Sequence, residues 1–353
     1  MKGAVFTGNR RVEIRDFPDP TPGPGEVVIE IRASGMCGSD LHIYRSPGGG
    51  LAMAAALGLG GVGQPVIAGH EPCGVVVARG ANVPRHLVPD GARVMVHHYA
   101  GCETCPACRQ GWSQLCESGK ITVFGITGHG AHAPYMKVPA FTLVPLPAEF
   151  SFELGAAMSC GTGTAYSALK RMKMEGGRTL AVFGQGPVGL SATMLGRAMG
   201  QHIIGLDIAD ERLSLAKDCG AEHVVNVGRK NPVEEVKKLT GGRGADYALE
   251  CSGAPEARVA AVRSTRTWGT VCYVGEGGGV TLEVSPDLLR RQLTLIGCWT
   301  FSTNIQDECA RFIASNGVKI GKLITDTFPL SDAGAAYAKF DKQGMGKGMI
   351  IPA

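Results

Sequence analysis

Two short stretches of this 353-residue chain hold side chains whose types and spacing could do chemistry. In Gly101-Cys102-Glu-Thr-Cys105-Pro-Ala-Cys108, followed by Cys116, three cysteines stand at two-residue gaps and a fourth comes one short loop later. Four thiolates so close together can wrap a tetrahedral Zn2+. They fill every coordination position, so such a metal would hold a lobe together rather than meet a substrate. The second stretch is Thr179-Leu-Ala-Val-Phe-Gly184-Gln-Gly186-Pro187-Val188-Gly189. An apolar run enters Gly-x-Gly-x-x-Gly and a helix-compatible segment leaves it. The first glycine permits a tight turn, the second lets backbone N–H groups approach a pyrophosphate, and the third lets helix pack on strand. Pro187 suits a first helical turn. A second apolar run, His202 to Leu206, ends at Asp207, where a carboxylate would meet the adenosine ribose hydroxyls. An acid there, with Ile208 after it, favours NAD over NADP, although Arg212 is near enough in sequence to offer a 2′-phosphate a positive partner.

A third set of candidates is dispersed. Cys37, Ser39, Asp40 and His42 lie within one short stretch, His70 and Glu71 within another, and Cys160 just before the nucleotide-binding unit. Two cysteines and a histidine with an open fourth position form the ligand set of a catalytic zinc. On spacing alone the case is weak, and Cys37 and Cys160 also read as ordinary buried thiols, the commoner fate of cysteine.

The elements that must position these groups follow from patterning. Residues 1 to about 155 are β-rich, with alternation in Glu26 to Arg32, a continuous apolar run at Gly74 to Ala78, and prolines at 18, 20, 22 and 24 marking a loop. From about 156 to 298 strand-like runs (180–183, 203–206, 223–227, 247–251, 271–274, 293–296) alternate with helical ones (187–199, 211–219, 232–240, 255–264). That rhythm predicts a doubly wound parallel sheet, and hence an α/β fold class. The tail from 299 to 353 is mixed. Residues 46–63 are small, apolar and uncharged, and read either as an insertion without function or as an apolar lid, with one or two helical turns at Met53 to Leu57.

The order Gly-x-Cys37-Gly-Ser39-Asp40-x-His42, Gly-His70-Glu71, the four-cysteine loop, Cys160 and then Gly-x-Gly-x-x-Gly resembles the zinc-containing medium-chain dehydrogenase/reductase family, the alcohol dehydrogenase superfamily, over essentially the whole chain. The resemblance implies a GroES-like catalytic domain (1–155 with 299–353) holding two zincs, a Rossmann domain (156–298), and a cleft between them. It implies Cys37, His70 and Cys160 as catalytic-zinc ligands, with Glu71 beside the metal and Asp40 orienting the histidine. Ser39 and His42 become a proton relay, and Cys102, Cys105, Cys108 and Cys116 the structural zinc site. Alongside the glycine turn, Val188, Asp207 and Arg212, the cofactor set gains Thr164 at the nicotinamide, Val274, and Lys347 reaching the pyrophosphate. Cys160 stands where polyol and threonine dehydrogenases resembling this family usually carry Glu, which favours a simple alcohol. His97-His98-Tyr99 puts an imidazole where relatives often have a pocket aromatic.

Composition bounds the alternatives. Hydrophobic residues make up 44% and charged ones 19%, and the net charge of +4 is spread without long single-sign runs, so nothing calls for nucleic acid or a membrane surface. Apolar stretches are short and the start has no signal-like core, and twelve cysteines in a long chain point to metal or thiols rather than disulfides. The expectation is a cytoplasmic, zinc- and NAD-dependent alcohol dehydrogenase, working on an alcohol, aldehyde or ketone as a homodimer or homotetramer. Leu293 to Trp299 is a candidate subunit edge and equally an ordinary core strand. A polyol or amino-alcohol dehydrogenase is the second expectation. A noncatalytic nucleotide-binding protein is the third, and an intact metal set argues against it.

Overall fold

The computed structural model describes residues 1–50, 52, 65–342 and 346–352. The expected turns at Met53 to Leu57 lie outside the described residues. A hairpin of β1 (Lys2–Gly8) and β2 (Arg11–Asp16) opens the chain, followed by β3 (Glu26–Gly35), α1 (Gly38–Arg45), β4 (Glu71–Arg79) and β5 (Arg93–Val96). The cysteine loop is bounded by the paired strands β6 (Tyr99–Ala100) and β7 (Thr122–Val123) and contains the single turn α2 (Pro106–Arg109). Then come β8 (Tyr135–Pro139), β9 (Leu143–Pro145), α3 (Phe152–Met158) and α4 (Gly161–Arg171).

Next is the alternating region: β10 (Thr179–Phe183), α5 (Pro187–Ala198), β11 (His202–Asp207), α6 (Asp210–Asp218), β12 (His223–Asn226), α7 (Pro232–Leu239), β13 (Ala245–Glu250), α8 (Pro255–Ser264), β14 (Thr265–Tyr273) and β15 (Thr294–Gly297). All the strand pairings here are parallel, in the order β12-β11-β10-β13-β14-β15. This is a doubly wound Rossmann sheet whose order reverses between β10 and β13, and such sheets bind ligands at the carboxyl ends of the strands flanking that reversal. Leu180, Ala181, Val182 and Phe183 are all buried, as a central strand covered on both faces requires.

The tail adds α9 (Thr303–Ser315), β16 (Ile324–Pro329), α10 (Ala333–Asp341) and β17 (Lys347–Ile351). Its strands return to the first sheet, ordered β16-β17-β3-β4-β5-β9 with β8 on β3, and β17 runs antiparallel to β3 with Met349 opposite Gly35. One cluster of buried side chains runs from Ala33, Cys73 and Met95 through Ala157 and Leu169 to Leu180 and Leu195, so a shared core joins the two sheets through α3 and α4. Among the described residues no helix is long and apolar enough to cross a membrane.

Candidate metal centre and cofactor cleft

Strand ends and helix starts meet at one point. Cys37 caps the start of α1 directly after β3, His70 and Glu71 stand at the start of β4, and Cys160 is the residue before α4. Their ligand atoms all lie within 4.8 Å of one another, and all four residues are buried. Two thiolates about 2.3 Å from one tetrahedral zinc stand about 3.8 Å apart; Cys37 Sγ and Cys160 Sγ are 3.9 Å apart. Asp40 Oδ1 holds His70 Nδ1 at 2.9 Å, which leaves Nε2 as the metal-facing nitrogen. Ser39 Oγ is 3.2 Å from that Nε2. A hydrogen bond from Cys160, helped by His70, holds the Cys37 thiol well below its ordinary pKa, while the same bond and burial push Cys160 well above. The donor set therefore fits zinc.

Lys347 corrects a sequence expectation. Instead of reaching out to a pyrophosphate it is buried beneath Glu71, where Nζ donates to Oε1 at 2.8 Å and to the Met36 carbonyl at 3.2 Å. The other carboxylate oxygen, Oε2, lies 2.5 Å away as a charge contact and has no hydrogen-bond donor. A buried ammonium requires a carboxylate, and the pairing of β17 with β3 carries Lys347 to that of Glu71. Burial pushes the Glu71 carboxyl upward, and the Lys347 ammonium pulls it back toward the ionised form. Burial alone would lower Lys347, but the Glu71 carboxylate outweighs it.

The four clustered cysteines also converge, their sulfurs within 4.8 Å. Backbone N–H groups point at the sulfurs, from Cys105 to Cys102 Sγ at 3.3 Å and from Cys102 to Cys116 Sγ at 3.4 Å, as thiolates need. This lobe docks on the tail, where Thr303 N–H donates to Gly111 O and Gln114 Nε2 donates to Phe301 O at 2.8 Å.

The residues expected to bind a cofactor gather at the reversal point of the Rossmann sheet. Gly184 has φ of 86° and sits against Ser252, a Cβ on Gly189 would run into the Gly184 carbonyl, and Gly186 faces open space at the start of α5 beside Pro187 and Val188. Asp207 ends β11; its Oδ2 accepts the Gln185 N–H at 2.6 Å and its Oδ1 the Ala209 N–H at 3.0 Å, so it also braces the glycine turn. Arg212 Nη1 lies 3.8 Å from Asp207 Oδ2. Thr164, one turn into α4 from Cys160, keeps a buried Oγ1 with no protein partner, a polar atom that suits the nicotinamide end of a dinucleotide. Val274 is half-buried one residue past β14. His42 is exposed on α1, its Cε1 4.0 Å from where a Cβ on Gly277 would stand, so it faces the loop after β14 across the cleft.

His98 sits beside the metal cluster, its ring centroid 5.0 Å from that of His70. Its Nδ1 donates to the Ser159 carbonyl at 3.1 Å, and burial, then His70, holds it well below the ordinary histidine pKa, so Nε2 is a bare acceptor. Tyr99 and Trp299 pack edge to face at 5.7 Å. Sequence reading missed Tyr337, whose hydroxyl donates to Asp40 Oδ2 at 2.8 Å from 297 residues away; no local signal points to it.

Residues 187–315 match the family described as zinc-binding dehydrogenase, and residues 23–148 match the alcohol dehydrogenase GroES-like domain. The chain is 39% identical to the uncharacterized zinc-type alcohol dehydrogenase-like protein YphC of Escherichia coli (strain K12), covering 99% of this chain and 98% of that one. It is 33% identical to a sorbitol dehydrogenase of Bacillus subtilis (strain 168), over 94% of this chain and 90% of that one. Among solved structures, alcohol dehydrogenase TADH from Thermus sp. ATN1 superposes with a TM-score of 0.88 at 27% identity, covering 99% of both chains.

Proposed function

The chain belongs to the zinc-containing medium-chain dehydrogenase/reductase family, and on that premise we propose that it transfers a hydride between a primary or secondary alcohol, or the matching aldehyde or ketone, and NAD. The observation that carries the reading is the convergence of Cys37, His70 and Cys160 on one buried point beside the dinucleotide cleft. When bound, zinc would supply Lewis-acid polarisation of the substrate oxygen and NAD the hydride acceptor.

The chain's own residues do the rest. Cys37, His70 and Cys160 hold the metal, and Asp40 keeps His70 in the Nδ1-protonated tautomer. Ser39 Oγ, beside the metal-facing nitrogen, accepts the proton of the substrate hydroxyl as it releases its own toward the cleft mouth, where exposed His42 takes it up and passes it to solvent. Thr164 and the glycine turn orient the cofactor. Asp207 favours NAD over NADP by repelling a 2′-phosphate. Cys102, Cys105, Cys108 and Cys116 hold the second, structural zinc.

A second reading, a polyol or amino-alcohol substrate, is favoured by His98, whose bare Nε2 beside the metal centre could accept from a neighbouring hydroxyl or ammonium. The similarity to a sorbitol dehydrogenase supports it. Cys160 in the third ligand position supports the simple alcohol. Turnover of zinc-loaded protein with NAD or NADP across short, aromatic, polyhydroxy and amino alcohols decides between them. A polyol requirement overturns the first reading. No turnover with any class, despite full zinc and NAD binding, overturns both.

We further propose a homodimer or homotetramer paired through β15, the edge strand, where Leu295 is 40% exposed and Trp299, two residues past the strand, 41%. A cytoplasmic location fits twelve cysteines that form no disulfide.

A further inference from the structure

Behind the metal centre lies a buried polar chain that the proposed reaction does not use. Ser34 Oγ is 2.8 Å from His132 Nδ1, His132 Nε2 is 2.7 Å from the Tyr337 hydroxyl, and that hydroxyl is 2.8 Å from Asp40 Oδ2. Asp40 Oδ2 also accepts the Cys37 N–H at 2.9 Å, and Oδ1 holds His70. Ser34, His132 and Tyr337 are completely buried, so none of them can touch a substrate.

We infer that Tyr337, backed by His132, is a positioning residue for the metal centre, fixing the Asp40 carboxylate that in turn sets the ring of His70. The inference rests on the catalytic-zinc reading above.

The direction of every hydrogen in the chain follows from counting. A phenol has one hydrogen, and Tyr337 donates it to a carboxylate that can only accept. The Tyr337 oxygen must therefore accept from His132 Nε2–H. Burial lowers the His132 pKa to about 4, so the ring is neutral and Nδ1 is bare. Nδ1 then accepts from the Ser34 hydroxyl. All the hydrogens point toward Asp40, which takes three donors: the Cys37 amide, His70 Nδ1–H and Tyr337. Two of those donors belong to metal ligands, and Tyr337 is the only one of the three that does not.

The phenol ring is itself clamped. Phe6 of β1 meets it edge to face at 4.7 Å, Tyr44 of α1 lies at 5.9 Å and Phe340 of α10 at 6.4 Å. An aromatic cluster from three elements thus holds the hydroxyl against Asp40. Partners of this outer kind fix the orientation and basicity of a ligating histidine, and losing one typically weakens metal binding roughly 10–100-fold.

The test is Tyr337→Phe, which deletes one oxygen and keeps the ring. Catalytic-site zinc affinity is measured by chelator competition on the full chain, with Cys37→Ala identifying which of the two zincs is which. The expected result is catalytic-site zinc bound roughly tenfold or more weakly, with the four-cysteine zinc unchanged. Asp40→Asn should weaken the same site, and Tyr337→Phe added to it should weaken it no further, because the tyrosine acts through the aspartate. A merely structural tyrosine would instead lower the melting temperature and leave the site's affinity alone. Affinity within twofold of wild type in Tyr337→Phe, or full additivity with Asp40→Asn, overturns the inference. Should Tyr337→Phe not fold, Ser34→Ala tests the same chain: it frees His132 to take the other tautomer, and unchanged zinc affinity there also overturns the inference. Wild-type protein holding only the four-cysteine zinc would overturn the metal reading and this inference together.

Discussion

Lys347 and Glu71 form a buried ion pair on the floor of the metal centre, Nζ 2.5 Å from Oε2, with the two side chains only 1% and 0% exposed. Removing one partner of such a pair leaves an uncompensated buried charge, and that penalty is roughly 3–5 kcal/mol. Lys347→Met should therefore lower unfolding stability by about that amount, read from denaturant midpoints. The double variant Lys347→Met with Glu71→Gln should recover most of it. A single variant as stable as wild type would show that the pair carries no such penalty.

Cys37→Ala should abolish turnover and release one zinc per chain while NAD binding stays near its wild-type value, because the glycine turn and Asp207 stand on the other sheet. Metal analysis and nucleotide titration check this. A variant that turns over normally would refute the metal assignment.

Cys105→Ser should act on the other site. Its lobe is built from two-residue strands and a single helical turn, so zinc takes the place of an apolar core there. Loss of the second zinc and a melting temperature lower by several degrees are expected; a fully metallated, equally stable variant would contradict the structural role.

Asp207 accepts the Gln185 N–H of the glycine turn and the Ala209 N–H that follows β11, and on the proposed reading it also meets the ribose. Asp207→Ala should raise the NAD KM roughly 10–100-fold, the worth of a charge-assisted hydrogen bond, and should erase the preference over NADP. Steady-state kinetics with both cofactors tests it, and an unchanged preference would shift discrimination elsewhere.

Acid should weaken one link in the Rossmann region. The Arg263 guanidinium, 3.0 Å from Asp287 Oδ1, holds that carboxyl below the usual carboxylate range, with the Glu283 N–H adding to it. A carboxyl with a lowered folded pKa stabilises fully above its unfolded value and loses that contribution as pH falls through the folded one. Asp287→Asn should therefore lower the melting temperature at neutral pH and make no difference at pH values below the folded pKa; an equal effect at both would sink the assignment.

The sequence by itself determined the features whose residues lie close together along it. Cys102 to Cys116 and the run from Thr179 to Gly189 are each one supersecondary unit, so spacing alone reported a thiolate cage and a strand–turn–helix. The alternating 156–298 pattern reported a parallel sheet because strands buried on both faces must be continuous apolar runs. Cys37, His70 and Cys160 were different, since spacing left the two cysteines as possible buried thiols and only the order of motifs joined all three. Tertiary structure alone decided the supports of the site. Lys347 meets Glu71 across 276 residues and Tyr337 meets Asp40 across 297, both after the tail has returned to the first sheet and domain. Such partners are chosen by which buried charge or hydroxyl needs satisfying once the chain is packed, a demand that exists only in the folded molecule. A lysine read near the end of a chain therefore looked like a phosphate ligand until its burial gave it a carboxylate instead.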